Sequence, residues 1–376
     1  MSPASLPAAN SYAALGADNA LRRLPVRPTL TRPAEFGAAF DARTLFYDCF
    51  RHDDGLRILL VGPPPVSLAP AYKATRFTAN GTALRPRFFR SLTTMVTELS
   101  GAPAGTQAIG VALGGESFTL PVQPNSCRAL EGRRVLFTIN RNNDLGWIRE
   151  WAEFHAKIHG TDAVIVVDNG STRYDTAELY ATLAAVPGIA AAAVPSWPYS
   201  FGPIDRSVRA NHYWARFLQI GSMSMVLRRY GERAYGLLDC DIDELAGTRS
   251  GQSIYDLARQ SRGGLVVFRG EWIEATGGGT SHRDYTQRLT DAKAALSPQR
   301  KWALDPSRPW VRKLSVQPYW HWIEGRALFS KTMPADALYW HFKGINTNWK
   351  QDRTRPPEGA LETDPLLAAA FARLAG

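Results

Sequence analysis

The sequence has few cysteines and no long apolar run. Its three cysteines, Cys49, Cys127 and Cys240, lie far apart and form no Cys-x-x-Cys pattern, so neither a disulfide framework nor a zinc site is indicated. No stretch approaches the roughly 18 uninterrupted apolar residues of a membrane span, and residues 1–32 hold no compact apolar run before a cleavage site. We therefore expect a soluble, unexported protein in a reducing cytoplasm.

The two commonest glycine-rich phosphate motifs are also missing. No Gly-x-Gly-x-x-Gly follows the first strand of the α/β part described below, and Gly-x-x-x-x-Gly-Lys-Ser/Thr occurs nowhere. These absences argue against a dinucleotide fold and a P-loop. There is no recognition-helix pattern, aromatic RNA-binding signature or zinc finger, so nucleic acid is not an expected partner.

Positive charge is abundant but unevenly distributed. The net charge is +10; residues 131–280 carry 16 basic and 17 acidic groups, whereas residues 281–356 carry 14 basic and 6 acidic groups. A basic segment after an acidic motif resembles the second half of a phosphate clamp, and a solvated basic face is the alternative.

Length and pattern predict two domains and a tail in this 376-residue chain. Residues 1–32 contain four prolines and little periodicity, and we expect them to be disordered or loosely packed. The pattern of residues 33–130 predicts a small antiparallel β domain, which would bind carbohydrate or position the α/β domain that follows it. The evidence is a set of short strand-like runs separated by Gly, Pro and Asn-Gly turns: Leu56–Val61, Lys73–Thr78, Thr106–Leu113 and Glu116–Val122.

Residues 131–376 alternate between strand and helix patterns, which predicts βαβ units and a mostly parallel sheet covered by helices. The predicted elements are a strand Val135–Ile139, a helix capped by Asn143 or Asp144 and closed by Gly160, a strand Ala163–Val167, a helix Thr176–Ala185, a strand Ile189–Val194, a long helix Arg206–Arg229, and the strand that leads into Asp239. Open α/β sheets bind ligands beyond the carboxyl ends of their strands. The polar loops 140–144, 168–172 and 241–243 should therefore share one rim.

The most informative segment is the apolar run that ends in acids between Tyr235 and Leu245. In an extended strand Asp239, Asp241 and Asp243 would share a face, about 6.5 Å apart. At an effective dielectric of about 20, each neighbouring pair would repel by about 2.5 kcal/mol. Acidic oxygen ligands suit Mg²⁺ or Mn²⁺, which commonly bridge to substrate phosphates. The alternative is an acidic turn that caps the strand or the next helix.

These residues together resemble a known family. Residues 135–175, read as VLFTINRNNDLGWIREWAEFHAKIHGTDAVIVVDNGSTRYD, are similar to the opening of GT-A nucleotide-sugar glycosyltransferases, especially the family 2 and family 92-like group. The segment Asp241-Ile242-Asp243-Glu244-Leu245 matches that group's Asp-x-Asp-Glu-Phe metal motif. Tyr339–Lys343 followed by Trp349-Lys350 is similar to its C-terminal His-Tyr segment. The likeness covers about 131–355 and implies a GT-A, Rossmann-like domain.

The resemblance implies a donor site and a metal site. Asp168 would contact the base or ribose of the donor, and Arg141 with Asn142 or Asn143 would line the nucleotide pocket. Asp241 and Asp243 would hold Mn²⁺ or Mg²⁺ on the diphosphate, with Asp239 behind them. His341 would complete the metal shell or bind a phosphate, or be a packed structural histidine.

Inverting transfer, which the resemblance also implies, needs a general base near the acceptor hydroxyl. The strand Leu265–Arg269 leads to Glu271 and Glu274, either of which could serve, with Trp272 as a platform for a sugar. Glu271 is preferred because it is nearest the strand end, and Asp284 is the reserve. The alternative is a solvated acid beside a packed Trp.

The remaining candidates have weaker patterns. His321 lies in an aromatic cluster and is either packed or functional, whereas His155 and His159 on the first helix of the α/β part are expected to be structural. Three basic residues would neutralise the diphosphate or lie on the solvated surface: Lys301, Arg312 and Lys343.

The predicted activity is transfer of a sugar, of hexosyltransferase type, from a nucleotide-sugar donor to a hydroxyl of a glycan or lipid-linked acceptor. Surface or capsular polysaccharide synthesis is the expected role, and peripheral contact with the inner membrane is left open. The alternative is a non-catalytic carbohydrate-binding or assembly protein that retains the transferase fold. A metal-dependent phosphoesterase would need more dispersed His and Asp ligands than the sequence offers.

Overall fold

The structure, a computed structural model, describes residues 3–204, 213–347, 353 and 356–375. Among these residues, no helix has both the length and the apolar character needed to cross a membrane. The predicted helical residues 206–212 and the motif residues Trp349 and Lys350 lie outside the described part of the chain.

The centre of the fold is a mixed, mostly parallel ten-stranded sheet. Its order from one edge is Ala4–Ser5, Ala191–Ala193, Ala163–Asp168, Arg134–Asn140, Gly236–Asp239, Leu296–Leu304, Leu265–Ile273, Ala337–Phe342 and Glu244–Thr248, and Lys331–Thr332 pairs beside Leu265–Ile273. The first five strands are parallel to one another, and Leu296–Leu304 pairs antiparallel on both sides. The predicted α/β class with a mostly parallel sheet is confirmed, and it is consistent with the GT-A fold that the resemblance implies.

Helices cover both faces of this sheet because its parallel strands are apolar on both sides. The described helices of six or more residues are Ala69–Ala74, Leu145–His159, Thr176–Ala184, Phe217–Met225, Ile254–Gln260 and Pro365–Ala375, with a π-helical turn at Val226–Gly231. Short turns of helix occur at Thr29–Thr31, Phe36–Ala39, Val66–Leu68 and His282–Asp284.

The helix Leu145–His159 begins and ends as its sequence predicts. The Asp144 side chain accepts a hydrogen bond from the backbone N–H of Gly146, and Gly160 ends the helix in the left-handed conformation at φ 67°. Its buried face includes Ile148, Trp151 and His155. This cap places the loop 140–144 at the carboxyl end of the sheet.

Two four-stranded antiparallel sheets form the region before residue 131. One contains Asp48–Arg51, Ile58–Gly62, Met95–Ser100 and Arg85–Arg90, and the other contains Glu116–Pro121, Ala108–Leu113, Arg76–Ala79 and Thr82–Ala83. Leu60, Leu99 and Val111 belong to one core that the two sheets share. The strand predicted at Lys73–Thr78 is wrong for Lys73 and Ala74, which belong to the helix Ala69–Ala74; the strand itself is Arg76–Ala79. Pro70 lies in the first turn of this helix, where proline is favoured.

The N-terminal segment is more ordered than its composition predicts. Ala4–Ser5 adds a parallel strand to the edge of the central sheet at Ala191–Ala193. Arg23 is buried and donates to three backbone carbonyls, those of Pro64, Asp41 and Thr44. Prolines remove donors without preventing such contacts, and this is the reason that composition alone mislabels the segment.

Small two-stranded ladders complete the structure. They pair Ala13–Ala14 with Thr44–Phe46, Gln317–Pro318 with Ile323–Glu324, and Gln287–Leu289 with Leu361–Thr363. The second of these ladders encloses the loop 319–322, which carries Trp320 and His321.

The acidic segment is a turn and not a continuation of the strand. The strand Gly236–Asp239 ends at Asp239, and the chain turns through residues 241–243, with the N–H of Glu244 donating to the carbonyl of Asp241 at 3.0 Å. The returning strand Glu244–Thr248 pairs with Ala337–Phe342. The three aspartates therefore do not line one strand face, because strand periodicity stops where the turn begins.

Candidate active site

Three strand ends meet at one rim of the sheet, as the topology predicts. The Asn140 side chain donates to Asp168 Oδ1 at 2.9 Å, and Asn143 donates to Asn140 Oδ1 at 2.8 Å. These contacts join the loops that follow two neighbouring parallel strands. A cavity of about 70 Å³ opens above them, and we call it the rim cavity. It is lined by Asn140, Arg141, Asn143, Asn169, Phe201, Asp241, Asp243, Asn346 and Arg353, among others.

A second cavity adjoins the first on the other side of the acidic turn. We call it the aromatic cavity; it measures about 160 Å³ and is lined by Trp214, Arg216, Gln219, Asp241, Glu244, Gln299, Lys301, Trp320, His321, His341 and Arg353. Asp241 and Arg353 line both cavities. A ligand in either cavity would therefore reach the same carboxylate.

A buried lysine lies at the centre of the acids. The Nζ atom of Lys301 is 2.9 Å from Asp241 Oδ2, 2.9 Å from Glu244 Oε2 and 3.9 Å from Asp239 Oδ2. Lys301 belongs to the strand Leu296–Leu304, which pairs antiparallel with the strand Gly236–Asp239. The repulsion expected between the acids is thus compensated by a cation of the chain itself.

The titration of this cluster follows from burial and from Lys301. Burial raises the pKa of Asp239 to about 7, with Lys301 acting against it, and burial likewise raises the pKa of Glu244 to about 7. Burial would lower the pKa of Lys301, but Asp239, Asp241 and Glu244 outweigh it and raise the pKa well above its ordinary value. The ammonium group therefore stays charged.

A separate pair of ligand atoms faces Arg353. The Nη1 atom of Arg353 is 2.7 Å from Asp243 Oδ2 and 2.8 Å from His341 Nε2, and these two acceptors are 3.2 Å apart. The other ring nitrogen of His341, Nδ1, lies 3.2 Å from Ser297 Oγ. Burial would raise the pKa of Asp243, but His341 and Arg353 outweigh it and hold the pKa well below its usual range.

The donor set fits a divalent cation. Ligand atoms of Asp243, Glu244 and His341 lie within 4.8 Å of one another. Two carboxylates and an imidazole suit Mn²⁺, and the acceptors of Asp243 and His341 converge on one point, where Arg353 Nη1 now lies. Asp241, which the sequence assigns to the metal with Asp243 and His341, is not in this set of three. Asp241 and Glu244 both lie 2.9 Å from Lys301 Nζ, and a role for Asp241 as a metal ligand stays a prediction.

The predicted donor-binding residues divide into two groups. Arg141, Asn143 and Asp241 line the rim cavity. Asp168 and Asn142 do not: Asp168 is buried and accepts hydrogen bonds from Asn140 and from the backbone and hydroxyl of Ser171, and Asn142 accepts from the backbone of Thr172. Both stabilise the rim rather than face it.

Neither predicted catalytic glutamate is among the described residues that line the two cavities. Glu271 lies between Arg249 and Arg288, at 3.4 and 3.1 Å. Glu274 is fully buried and accepts two hydrogen bonds from Lys343, at 2.7 and 2.8 Å. The reason is the length of the strand: it runs to Ile273 instead of ending at Arg269, so Glu271 lies within the strand and Glu274 directly follows it.

Other candidates also have structural partners. Trp272 stacks on His341 with ring centroids 4.1 Å apart, and the reserve acid Asp284 accepts from the backbone of Thr280 and Ser281. Arg312 is exposed and lines neither cavity. Lys343 is held by Glu274, so it does not reach the acidic turn.

His155 and His159 are packed, with both ring nitrogens used. His155 Nδ1–H donates to the Trp151 carbonyl at 2.8 Å, and its Nε2 accepts from the N–H of Ala246 at 3.2 Å. His159 Nε2–H donates to the Ala246 carbonyl, and its Nδ1 accepts from the N–H of Ile254. This geometry accords with the expected structural role.

Several cavity residues have no signal in the sequence. Asn169 is buried in the rim cavity, where its Nδ2 donates to the carbonyls of Trp197 and Tyr199 and its Oδ1 has no hydrogen-bond partner within the part of the chain that the structure describes. Arg353 belongs to a basic stretch with Lys350 and Arg355, whose members look alike, whereas Arg216 is a lone basic residue in an aromatic and apolar segment. The Asp-Asn pair at 168–169 was the available signal for Asn169, but the sequence reasoning singled out Asp168.

No family model matches this sequence, and no curated protein matches it. Solved structures give weak similarities. One is the galactosyltransferase LgtC in complex with donor and acceptor sugar analogues, at 16% identity over 48% of this chain and 60% of that chain, with a TM-score of 0.25. The bifunctional glycosyltransferase WbbM in its apo form has 9% identity over 50% of this chain and 35% of that chain, with a TM-score of 0.24.

The chain thus spans 60% of the first structure's length and 35% of the second's. Likeness of this degree carries no argument about chemistry, and the resemblance to families 2 and 92 stays a prediction. The site itself supplies the basis for a function.

Proposed function

We propose that the protein is a metal-dependent glycosyltransferase that moves a hexose from a nucleotide-sugar donor to an acceptor hydroxyl. The observation that carries the proposal is a pair of adjoining cavities that share Asp241, with a set of possible metal ligands at their junction. Group transfer between two substrates needs both substrates at one reacting point. A protein that binds one sugar would need only one of the cavities.

The rim cavity suits the nucleotide part of the donor. Asn143 offers its amide oxygen to a base or ribose, and Asn169 Oδ1 is a buried acceptor that lacks a donor among the described residues. A buried polar atom of this kind is normally hydrogen-bonded. Arg141 and Arg353 bring positive charge to the same cavity and would pair with a diphosphate.

Asp243, Glu244 and His341 would hold the divalent ion, for which this donor set favours Mn²⁺ over Mg²⁺. When bound, the ion would supply Lewis-acid stabilisation to the departing nucleoside diphosphate. Lys301 pairs with both Asp241 and Glu244 and would hold their carboxylates beside the site of the ion. Arg353 would leave Asp243 and His341 to bind a phosphate oxygen of the donor.

The aromatic cavity suits the acceptor sugar. Trp214 and Trp320, with ring centroids 5.4 Å apart, offer apolar faces on which a sugar can stack. We propose His321 as the base for an inverting transfer because it lines this cavity. Burial lowers its pKa to about 4, so the imidazole is neutral at neutral pH but only a weak base, and it would take the hydroxyl proton as the new bond to the donor forms. His321 Nδ1 donates to the Arg300 carbonyl at 2.7 Å, which leaves Nε2 as the acceptor.

The test is a calorimetric titration of UDP and GDP with and without Mn²⁺, followed by hydrolysis assays on a panel of nucleotide sugars. We expect one nucleotide to bind more tightly with Mn²⁺, and Asp243→Asn to abolish that gain. Asp18→Asn, at an exposed position in the N-terminal segment, is the matched control. If neither nucleotide responds to the metal and no sugar is released, the proposal fails.

One observation favours a second candidate, a carbohydrate-binding protein without turnover. Lys301 and Arg353 already pair with the carboxylates of Asp241, Glu244 and Asp243, so the acids need no metal to be neutralised. This candidate predicts glycan binding that survives both Asp241→Asn and Asp243→Asn. A role in surface or capsular polysaccharide synthesis and the domain boundaries at residues 32 and 130 stay predictions.

A further inference from the structure

An exposed apolar turn lies on the far side of the aromatic cavity. Leu328 and Phe329 are 83% and 82% exposed, and they are successive residues of one turn. We call Ala327–Ser330 the tip turn. Its ends are close, since the N–H of Ser330 donates to the Ala327 carbonyl at 3.2 Å. Single exposed apolar side chains are common on proteins, but two adjacent large ones at the point of a turn expose a continuous apolar surface.

The backbone of the tip turn makes this surface more unusual. Phe329 has φ 60°, the left-handed region that the third position of such a turn requires and that Gly or Asn usually fills. A bulky side chain is disfavoured there. Phe329 therefore improves neither the turn nor the core, and a contact outside the folded chain accounts for it.

The tip turn is fixed to the sheet by its C-terminal end. Ser330 is buried, and a Cβ added at Gly263 would lie only 2.0 Å from the Ser330 carbonyl oxygen. The next residues, Lys331–Thr332, pair in parallel with Leu265 and Val266. The tip is thus presented by a rigid element, which is how a docking contact is best held.

Two basic residues, Arg326 and Lys331, flank the tip turn in the sequence, and both line a recess. A recess of about 290 Å³ is lined by Pro298, Arg300, His321, Trp322, Arg326 and Lys331, and no carboxylate lies among these lining residues. We call it the basic recess. The nearest acid in sequence, Glu324, is turned towards the backbone N–H of Leu92 at 3.4 Å. An apolar turn flanked by cations that line one recess is complementary to an anionic lipid surface, which offers acyl chains beneath phosphate groups.

The recess also leads to the candidate active site. His321 lines both the basic recess and the aromatic cavity. Trp322, which is half-buried and stacked on Tyr319 at 4.1 Å, lies in the recess wall. Amphipathic rings of this type are enriched at the level of lipid headgroups.

We propose that the tip turn and the basic recess form a surface that docks the protein on an anionic membrane. Leu328 and Phe329 enter the boundary between headgroups and acyl chains, while Arg300, Arg326 and Lys331 contact lipid phosphates. The docked orientation turns the shared wall at His321 towards the bilayer. The inference needs no step of sugar transfer, so its test is independent of the proposed function.

Flotation of the full chain with vesicles tests this proposal. We expect binding to vesicles that contain phosphatidylglycerol, little binding to phosphatidylcholine alone, and release at high salt as the charges are screened. The double variant Leu328→Ser, Phe329→Ser should lower the partition coefficient by about tenfold or more. Arg326→Gln and Lys331→Gln should each lower it about fivefold.

Matched controls are available in the N-terminal region. Leu30 and Leu56 are 101% and 74% exposed, so Leu30→Ser, Leu56→Ser removes comparable apolar surface elsewhere and should leave partition unchanged. Thermal unfolding verifies that each variant is folded. Absence of binding to anionic vesicles at low salt overturns the proposal, as does unchanged binding after either the apolar or the basic substitutions. Concentration-dependent self-association that the tip substitutions abolish would also overturn it, by assigning the surface to a second copy of the chain.

Discussion

At the scale of single residues, the central feature is that two basic side chains of the protein pair with the acidic turn. Lys301 pairs with Asp241 and Glu244, and Arg353 pairs with Asp243 and His341. Removal of one partner from a buried ion pair leaves an uncompensated charge, which costs more than the pair itself contributes. The site is therefore sensitive to substitutions of its cations as well as its acids.

We expect Lys301→Met to destabilise the fold and to increase its response to metal. The substitution leaves Asp239, Asp241 and Glu244 without their buried cation, at a cost of about 3–5 kcal/mol. Urea unfolding with and without MnCl₂ measures the effect, and Mn²⁺ should recover part of the loss because a bound ion supplies the missing charge. Lys293→Met, at an exposed position, is the control. Equal stability of the two variants would contradict the assigned role of Lys301.

Glu271→Gln should leave donor hydrolysis and transfer within about threefold of wild type, because Glu271 faces Arg249 and Arg288 instead of a cavity. Removal of a true general base would lower the rate by roughly 10²-fold or more. His321→Gln should lower kcat for transfer at neutral pH. The measurement is kcat and KM for both variants with one donor and acceptor. A large loss of kcat in Glu271→Gln would restore Glu271 as the base.

At the scale of elements, loop geometry decides which side chains reach the rim. The helix Thr176–Ala184 follows the loop that carries Asp168 and Asn169, and it begins with a capping box. The Asp175 side chain accepts from the N–H of Glu178, and the Glu178 side chain accepts from the N–H of Asp175. The cap therefore fixes the start of the helix just after the rim loop.

Asp175→Ala should lower the free energy of unfolding by about 1 kcal/mol, the usual contribution of an N-cap. Nucleotide affinity should stay unchanged, because Asn142 and Ser171 hold the rim loop by other hydrogen bonds. Urea denaturation and nucleotide titration on the same preparation separate the two effects. A loss of affinity with unchanged stability would be the opposite of this expectation.

Elements also show where the sequence pattern succeeds. Asp144 and Gly160 mark the helix Leu145–His159 because a cap needs only its own neighbours. The end of the strand Leu265–Ile273 was misplaced by four residues, because its last residues pair with Ala337–Phe342, a partner that is distant in sequence. Helix caps can be predicted from a few neighbouring residues, whereas the pairing of strands that are distant in sequence cannot.

At the scale of the whole molecule, stability depends on keeping histidines neutral in the core. Burial lowers the pKa of His155 to about 3 and that of His159 to about 4. Their ordinary pKa of 6.5 applies to the unfolded chain, which therefore binds protons below pH 6.5 while the folded chain does not. The contribution of each histidine to stability is complete above pH 6.5 and is lost as the pH falls towards the folded pKa.

We expect the free energy of unfolding to fall by about 1.4 kcal/mol per pH unit for each histidine between pH 6.5 and pH 4. Urea denaturation of wild type and His159→Gln across this range isolates one contribution, since the other titrating groups are common to both. The variant should be less stable at pH 7 and should lose stability less steeply towards acid pH. Parallel curves for the two proteins would rule out a proton-linked role for His159.

The sequence by itself determined the α/β class, the parallel strands Arg134–Asn140 and Ala163–Asp168, and the gathering of their polar loops at one rim. These features follow from the hydrophobic periodicity, from the helix caps and from the position of ligand sites at the carboxyl ends of parallel strands. All of these depend on residues that are close together in the sequence. Only the tertiary structure decided which side chains face the cavities. Lys301, Arg353 and His341 reach the acidic turn from strands and loops about 60 to 110 residues away, and the choice among similar basic residues depends on packing between distant segments, which no local pattern records.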